Sequence, residues 1–207
     1  MSIQPQPLAR EQLPPDTAEL ARFLIGKLVV RAFPETLAVG RIVETEAYLT
    51  GDEASHSFRG KTPRNKVMFG PPGYAYVYLA YGVSFMLNVT SAKEGAGEAV
   101  LIRAAEPVTG LDAMRRHRGD VPARDLMRGP GRLAKALGID RTFNGTDLCS
   151  AGALWLASDG HPPGEIGISV RIGITRDAER PLRFYLKGSK FASGPRALNG
   201  LNQRAIG

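Results

Sequence analysis

The stretch IVETEAY, residues 42–48, predicts the β-strand around which the rest of the chain is expected to fold. Side chains alternate between the two faces of a strand, so Glu44, Glu46 and Tyr48 are predicted to share one face with Ile42. Burying a carboxylate is costly unless it is paired or hydrogen-bonded. The two glutamates are therefore solvated at a strand end, paired with a cation, or held in a cleft where they do chemistry.

Composition indicates one globular domain with a basic surface. The chain has 207 residues, of which 43% are hydrophobic, which is enough for one sizeable core. A formal net charge of +7 and a pI of about 9.8 suggest a polyanionic partner such as nucleic acid, or less often an anionic membrane surface. No internal repeat or shift in composition marks a second domain.

The sequence lacks the signals of disulfide scaffolds, metal sites and membrane spans. Cys149 is the only cysteine, which excludes an internal disulfide and a cysteine-rich zinc site. The histidines, His56, His117 and His161, do not have the spacing of metal ligands. The N-terminus shows no signal-peptide pattern and no apolar run has the length of a membrane span, so we expect a cytoplasmic protein.

A tyrosine-rich segment predicts a β-hairpin. Four of the six tyrosines lie within residues 74–81, and residues 74–80 and 83–90 are typical of two strands joined at Tyr81-Gly82. Tyrosines along a strand either pack a sheet or form a binding platform. Tyr81, at the predicted tip, has no obvious core to enter.

Residues 49–69 form a polar, turn-rich loop, and a loop this long in a compact domain is usually functional or disordered. It contains His56, which on sequence alone is best interpreted as a solvated loop histidine. The loop also contains four cations, namely Arg59, Lys61, Arg64 and Lys66.

Two polar residues lie in otherwise apolar strands. Arg103 is the single charge in the run 99–105, and it needs a carboxylate or phosphate partner if it is buried. The Glu46 face of the earlier strand is a candidate source of that carboxylate. Asn88 likewise must find hydrogen-bond partners.

The remaining predicted elements are a helix capped by Asp16, a strand over 27–33, a helix over 109–117, a loop opening a helix over 129–138, and strands around 153–156 and 168–174.

Taken together, these stretches resemble the alkyladenine (3-methyladenine) DNA glycosylase family. The residues that carry the likeness are ETEAY at 44–48, DEASHS at 52–57, TPRN at 62–65, YVY at 76–78, Tyr81-Gly82, Asn88-Val89, LIRAAEP at 101–107 and GPGRL at 129–133. Each motif is weak alone, but the ordered set, which spans residues 20 to 193 with compatible spacings, is highly specific.

The resemblance implies a mixed α/β (α+β) fold. A single domain would surround a curved, mostly antiparallel sheet with helices and would lack a helix-hairpin-helix. We accordingly expect an N-terminal arm at residues 1–15, the glycosylase domain at 16–193, and a basic C-terminal tail at 194–207.

The resemblance also implies a pocket for a flipped base. Tyr48 and His56 would sandwich the base and Tyr78 would close the pocket edge. Asn88 would select against guanine, whose exocyclic amino group would crowd it. Leu101 would line the same pocket.

Catalysis and DNA binding are assigned in the same way. Glu46 would be the general base that activates water, and Arg103 would hydrogen-bond the phosphate of the flipped nucleotide. Tyr81 would be the wedge that fills the vacated space. The other DNA contacts implied are Gly82, Val83, Arg64 and Lys66.

The implied activity is base-excision repair without strand cleavage. The chain would act as a monomer on double-stranded DNA containing damaged purines (3-methyladenine, 7-methylguanine, hypoxanthine or ethenoadenine) and leave an abasic site. No metal or cofactor is implied. One departure from the family is Val83-Ser84, a smaller pair than that of the mammalian members.

Two other functions compete. In a nucleic-acid-binding module, tyrosines would stack bases and no bond would break. In an unrelated hydrolase, Glu44 and Glu46 would act as a carboxylate pair. This last hypothesis is the weakest, because residues two apart on a strand face the same way and do not flank a substrate.

Overall fold

A computed structural model describes residues 4–200 and places the predicted strand at the centre of an antiparallel sheet. Within that range the strands are β1 (Gln6–Pro7), β2 (Leu28–Phe33), β3 (Thr36–Tyr48), β4 (Ala75–Ala80), β5 (Ser84–Ser91), β6 (Glu98–Thr109), β7 (Leu154–Ser158), β8 (Ile166–Ser169) and β9 (Arg183–Leu186). The helices in the same range are α1 (Thr17–Leu24), α2 (Leu111–Arg118) and α3 (Pro130–Ala136).

The sheet has the order β1-β7-β2-β3-β6-β5-β4, and every strand pairing is antiparallel. β3 changes its neighbour on one side along its length: β2 pairs with residues 36–41, and β9, which also pairs with β8, takes over at residues 44–46. An antiparallel sheet with segregated helices is the predicted α+β class, which is confirmed.

The helices cover one face of the sheet and form the main core with it. Asp16 caps α1 by accepting a 2.9 Å hydrogen bond from the Glu19 backbone N–H, as the sequence predicts. Leu20 and Leu24 then lie on the buried side of α1. Thr45 of β3 donates to the Ala21 carbonyl over 2.8 Å and so fixes the helix against the central strand.

Three register shifts interrupt the pairing of β3 with β6, and the bulge at Val43 corrects one prediction. Ile42 faces Ala105 while Glu44 faces Ala104, so Val43 is an extra residue in β3. Ile42 therefore packs in the main core, on the side of α1, rather than on the face of the glutamates. A bulge inserts one residue and shifts the alternation that follows it, which period-two reasoning does not anticipate.

Several boundaries also differ from the sequence predictions. α2 begins at Leu111 rather than at residue 109, because β6 runs through Thr109 and Gly110 turns the chain at φ +74°. The predicted strand at 168–174 is the shorter β8, and β1 and β9 lie where no strand was predicted.

The terminal segments are packed where the structure describes them. Leu8 and Leu13 are buried in the main core. Residues Arg196–Asn199 form a 3-10 turn with Asn199 buried. Residues 201–207 of the predicted tail lie outside the described range. The helices of residues 4–200 include none with the length and hydrophobicity of a transmembrane segment.

Candidate active site

A cavity of about 320 Å³ opens beside the C-terminal end of β3. Its wall is built from the end of β3, the loop after it, the β4–β5 hairpin, β6 and the loop after β8. Of the site residues predicted from sequence, those that line it are Tyr48, His56, Tyr78, Tyr81, Asn88, Leu101 and Arg103. Glu46, Gly82, Val83, Arg64 and Lys66 are not on this wall.

Glu46 lies directly behind the cavity wall and is fully buried. Oε2 accepts a 2.9 Å hydrogen bond from the Tyr48 hydroxyl, and Oε1 accepts one of 2.7 Å from the Ile172 backbone N–H. Arg103 Nη1 lies 3.2 Å from Oε2. All three of these partners line the cavity, so the carboxylate is one side chain away from any molecule bound there.

Arg103 is buried between two carboxylates, as the apolar run around it predicted. Its Nε donates to Glu44 Oε1 over 2.9 Å, while Nη1 faces Glu46. Arg103 is itself the extra residue in β6, because Glu44 pairs with Ala104 and Thr45 pairs with Ile102. Bulges re-aim side chains next to active sites, and here one turns the guanidinium toward the two carboxylates.

Glu44 is the centre of a second set of buried contacts. Arg183 Nε donates to Glu44 Oε1 over 2.7 Å, and the Ser193 backbone N–H donates to Oε2 over 2.6 Å. Arg183 is also fully buried and donates to Asn199 Oδ1 over 2.6 Å. Glu44 thereby ties β3 to β9 and to the C-terminal segment.

The two buried glutamates have opposite pKa shifts. Burial opposes ionisation of Glu44, but Arg103 and Arg183 outweigh it and lower the pKa of Glu44. Burial also dominates at Glu46, where Arg103 and the hydrogen bonds from Ile172 and Tyr48 compensate less, so the pKa of Glu46 is raised. Glu44 is thus held as an anion, whereas burial makes Glu46 easier to protonate than an exposed glutamate.

His56 stands at the cavity rim and is exposed, in agreement with the loop interpretation, but it is not loosely solvated. Its Nδ1 lies 3.0 Å from the Tyr76 hydroxyl, and its ring meets that of Tyr78 edge-on at 4.2 Å between centroids. Asn65 fixes its backbone through a 2.8 Å hydrogen bond to the His56 carbonyl. Partial burial, with a smaller contribution from Arg64, lowers the pKa of His56, so the imidazole is neutral at neutral pH.

Asn88 and Leu101 form the cavity wall as a cross-strand pair of β5 and β6. Asn88 is buried, and its Nδ2 donates to the Tyr76 carbonyl over 3.0 Å, which confirms that this amide finds a partner. This bond fixes the orientation of the amide against the cavity.

Tyr81 is at the tip of the β4–β5 hairpin, as predicted, and is 91% exposed. It adopts φ +51° and Gly82 adopts φ +70°, and left-handed backbone is unfavourable for an aromatic residue. Val83 is 81% exposed beside it. The hairpin therefore holds two apolar side chains out into solvent, with Arg64 nearby donating to the Leu79 carbonyl.

Sequence reasoning missed Arg171 and Arg183, although a usable signal existed. Each is a single charge within an apolar run, VRIGI at 170–174 and LRFYL at 182–186, which is the pattern that identified Arg103. It also missed the Ile172 backbone N–H, and a backbone donor leaves no trace in side-chain patterns. Across residues 4–200, no group of three or more His, Cys, Asp or Glu side chains is placed to hold a metal ion.

Comparison with known proteins agrees with this geometry. The profile of the methylpurine-DNA glycosylase family matches residues 11–190, which is most of the chain. The chain belongs to this family. It is therefore a DNA glycosylase of alkylated bases and acts on DNA in DNA repair, and the resemblance inferred from the motifs is confirmed.

Members of the family from distant organisms are similar along most of their length. A protein of Mesorhizobium japonicum is 65% identical over 93% of this chain and 92% of its own. One from Paraburkholderia phytofirmans is 50% identical over 93% and 90%, and one from Methanoculleus marisnigri is 52% identical over 86% and 94%. All three carry the name "Putative 3-methyladenine DNA glycosylase".

The opposite pKa shifts predict different costs of neutralising the two glutamates. Glu44→Gln leaves the buried Arg183 without its carboxylate and leaves Arg103 with Glu46 alone, and breaking a buried ion pair costs about 3–5 kcal/mol. Glu46→Gln removes a charge that burial disfavours, so we expect the free energy of unfolding to change by less than about 1 kcal/mol. Urea denaturation of both variants at neutral pH measures this. Equal losses, or a larger loss for Glu46→Gln, would contradict the assignment.

Proposed function

We propose that the chain is a monofunctional DNA glycosylase that acts as a monomer on double-stranded DNA. It flips an alkylated or deaminated purine (3-methyladenine, 7-methylguanine, hypoxanthine or ethenoadenine) into the cavity beside β3. A water activated by Glu46 then hydrolyses the N-glycosidic bond and leaves an abasic site.

The position of Glu46 is the observation that carries this proposal. A carboxylate has about four acceptor positions, and the two hydrogen bonds and the Arg103 contact described above leave one free on Oε1. A water held there lies between the carboxylate and the cavity. Glu46 removes its proton as C1′ of the deoxyribose gains cationic character, and the negative charge stabilises that cation.

The aromatic wall suits the purines that the proposal names. Tyr48, Tyr78 and His56 offer ring faces and edges to a planar base, and electron-poor or cationic purines stack well against such rings. Because the pKa of His56 is lowered, its neutral imidazole does not repel a positively charged base. Recognition by stacking accounts for chemically varied lesions without a strict hydrogen-bond code.

Arg103 has one N–H group left over for DNA. A guanidinium has five N–H groups. In the described residues four are engaged, by Glu44, by Glu46, by the Ile172 carbonyl and by the Ser193 hydroxyl. The remaining N–H, on Nη2, is available to the phosphate of a flipped nucleotide, and Arg103 lines the cavity.

Tyr81 supports a mechanism in which the base leaves the duplex. A base inside the stack hides its glycosidic bond, and extruding it costs a few kcal/mol. An exposed apolar residue inserted from the minor groove fills the vacated space. Tyr81 and Val83 are displayed in this way, while Arg64 and Lys66 offer charge to the phosphates nearby.

The catalytic role of Glu46 predicts a selective loss of base release. A general base contributes about a hundredfold or more, so Glu46→Gln should slow single-turnover release of hypoxanthine from duplex oligonucleotides by at least that factor while DNA binding persists. Glu94→Gln, an exposed residue with the same change in charge, is the matched control and should release base normally. If the native chain and Glu46→Gln bind the duplex equally and the native chain releases no base, the protein is instead a binding module.

The raised pKa of Glu46 predicts the pH dependence of release. A general base must be ionised, so the rate is complete well above the pKa and falls as the pH drops through it. Because burial lifts this pKa above its ordinary value of 4.5, the acid limb should lie at higher pH than for an exposed glutamate. Hypoxanthine release measured from about pH 5 to 8 checks this, and a flat profile would contradict it.

The wedge role of Tyr81 predicts a dependence on duplex structure. Tyr81→Ala should slow excision from duplex by about tenfold, equivalent to about 1.4 kcal/mol of the flipping cost, and slow excision from single strands much less. Tyr81→Phe retains the ring and should resemble the native chain on both substrates. If Tyr81→Ala lowers both rates equally, the wedge role is rejected.

A further inference from the structure

A buried ion pair behind the cavity is unused by the mechanism above. The side chains of Arg171 and Asp52 are both fully buried. Arg171 contacts both oxygens of the carboxylate, through Nη2 to Oδ1 at 2.9 Å and through Nη1 to Oδ2. A buried ion pair is commonly no more stabilising than an apolar pair of similar volume, so stability alone does not account for it.

Arg171 contacts three separate segments behind the pocket wall. Nη1 donates to the Ala47 carbonyl of β3 over 3.1 Å, and Nη2 donates to the Asp177 carbonyl over 3.2 Å. Asp52 in turn accepts from the Ala54 backbone N–H over 3.0 Å, at the start of the turn that leads to His56. The pair thus ties the loop after β3 to the loop after β8.

Both hydrogen-bond donors to Glu46 lie against Arg171. The guanidinium carbon is 4.7 Å from the centroid of the Tyr48 ring, whose hydroxyl binds Oε2. Ile172, whose N–H binds Oε1, is the next residue in the chain. Arg171 is absent from the cavity wall whereas Tyr48 lines it, so the guanidinium backs the ring from within the protein.

We propose that Arg171 is a positioning residue that fixes the two groups bonded to Glu46. We further propose that Asp52 sets selectivity by cancelling the charge of Arg171, so that Tyr48 accepts a cationic purine on its other face. This inference rests on the proposed function, because it takes Tyr48 as the surface on which the flipped base stacks.

Electrostatics supports the proposed role of Asp52 in selectivity. An unpaired guanidinium behind Tyr48 would lie about 8 Å from a stacked base, and at that separation in a weakly screened site a like charge lowers binding by at least about tenfold. Asp52 is ionised at neutral pH: burial opposes this, but the Arg171 hydrogen bonds and the Ala54 N–H outweigh it and lower the pKa of Asp52. The backing of Tyr48 is therefore neutral overall, and the ring keeps its attraction for a positive base.

The test compares a cationic lesion, 7-methylguanine, with a neutral one, hypoxanthine, in otherwise identical duplexes. Equilibrium binding and single-turnover release are both measured for each protein. Asp52→Asn leaves Arg171 charged and unpaired. The binding constant and release rate for 7-methylguanine, each divided by that for hypoxanthine, should therefore fall about tenfold relative to the native chain. Because Asn88 is unchanged, its effect on guanine bases cancels in this comparison.

Two further variants separate charge from general damage. Glu53→Gln removes the same charge from the adjacent, exposed position and should leave the ratio unchanged. Asp52→Asn combined with Arg171→Gln removes both charges and should restore the native ratio, although absolute rates stay low. If the pair is merely structural, Asp52→Asn should lower binding and release equally for both lesions, and the double variant should not restore the native ratio. Either result would overturn the selectivity role.

The same double variant tests positioning. It leaves Glu46, Glu44 and Arg103 in place but withdraws the support of Tyr48 and Ile172. The charge of Arg171 also acts on Glu46, and the double variant removes it together with the opposite charge of Asp52. Weaker hydrogen bonds to the carboxylate should move the acid limb of hypoxanthine release to higher pH, and an unchanged limb would overturn the positioning role. If Asp52→Asn alone does not fold, the acid limb of the double variant still tests the positioning role.

Failure of the proposed function is distinguishable from failure of this inference. If the native chain binds both duplexes and releases neither base, hydrolysis is rejected, while the binding ratios of Asp52→Asn and of the double variant still decide the selectivity role. If the native chain binds neither lesion in preference to undamaged duplex, the selectivity role is overturned as well.

Discussion

The ion pair between Arg103 and the carboxylates of β3 is the interaction on which the rest of the site depends. Two glutamates on a central strand would be untenable in a core without cations, and Arg103 lies within 2.9 Å of Glu44 and 3.2 Å of Glu46. Arg183 adds a second cation, but only on the Glu44 side. This asymmetry explains why neighbouring carboxylates of the same type have opposite pKa shifts, with the pKa of Glu44 lowered and that of Glu46 raised.

The fold is arranged to produce that asymmetry. The bulge at Val43 separates the core residue Ile42 from the glutamates, and the bulge at Arg103 turns a β6 side chain toward them. β9 brings Arg183 to Glu44, and the turn at Arg196–Asn199 satisfies the guanidinium from behind. The distant C-terminal segment thus contributes to the charge balance of a site built mainly from β3, β6 and the loop after β8.

Much of this could be predicted from sequence, because strong local patterns decided it. The strand at 42–48, the hairpin tip at Tyr81, the Asp16 cap and the pairing of Arg103 with a carboxylate follow from alternation, turn chemistry and the cost of burying charge. The ordered set of motifs also identified the family. The face of Ile42 could not be predicted, since a bulge depends on the pairing of two strands distant in sequence.

Other parts of the site arise only from tertiary contacts. Arg171 and Arg183 stand alone in apolar runs, so burial with a partner could be expected, but nothing local indicates that Asp52 and Glu44 are those partners. The Ile172 N–H that holds Glu46 is a backbone group and has no signature in the sequence.

In the proposed mechanism, Glu46 holds the hydrolytic water against a base flipped into the cavity. A crystal structure of Glu46→Gln bound to a hypoxanthine duplex tests this most directly. We expect the base to lie against Tyr48 and His56, Tyr81 to occupy its place in the duplex, and an ordered water to bridge residue 46 and C1′. A base that remains stacked in the duplex, or one flipped elsewhere with no water near residue 46, would contradict it.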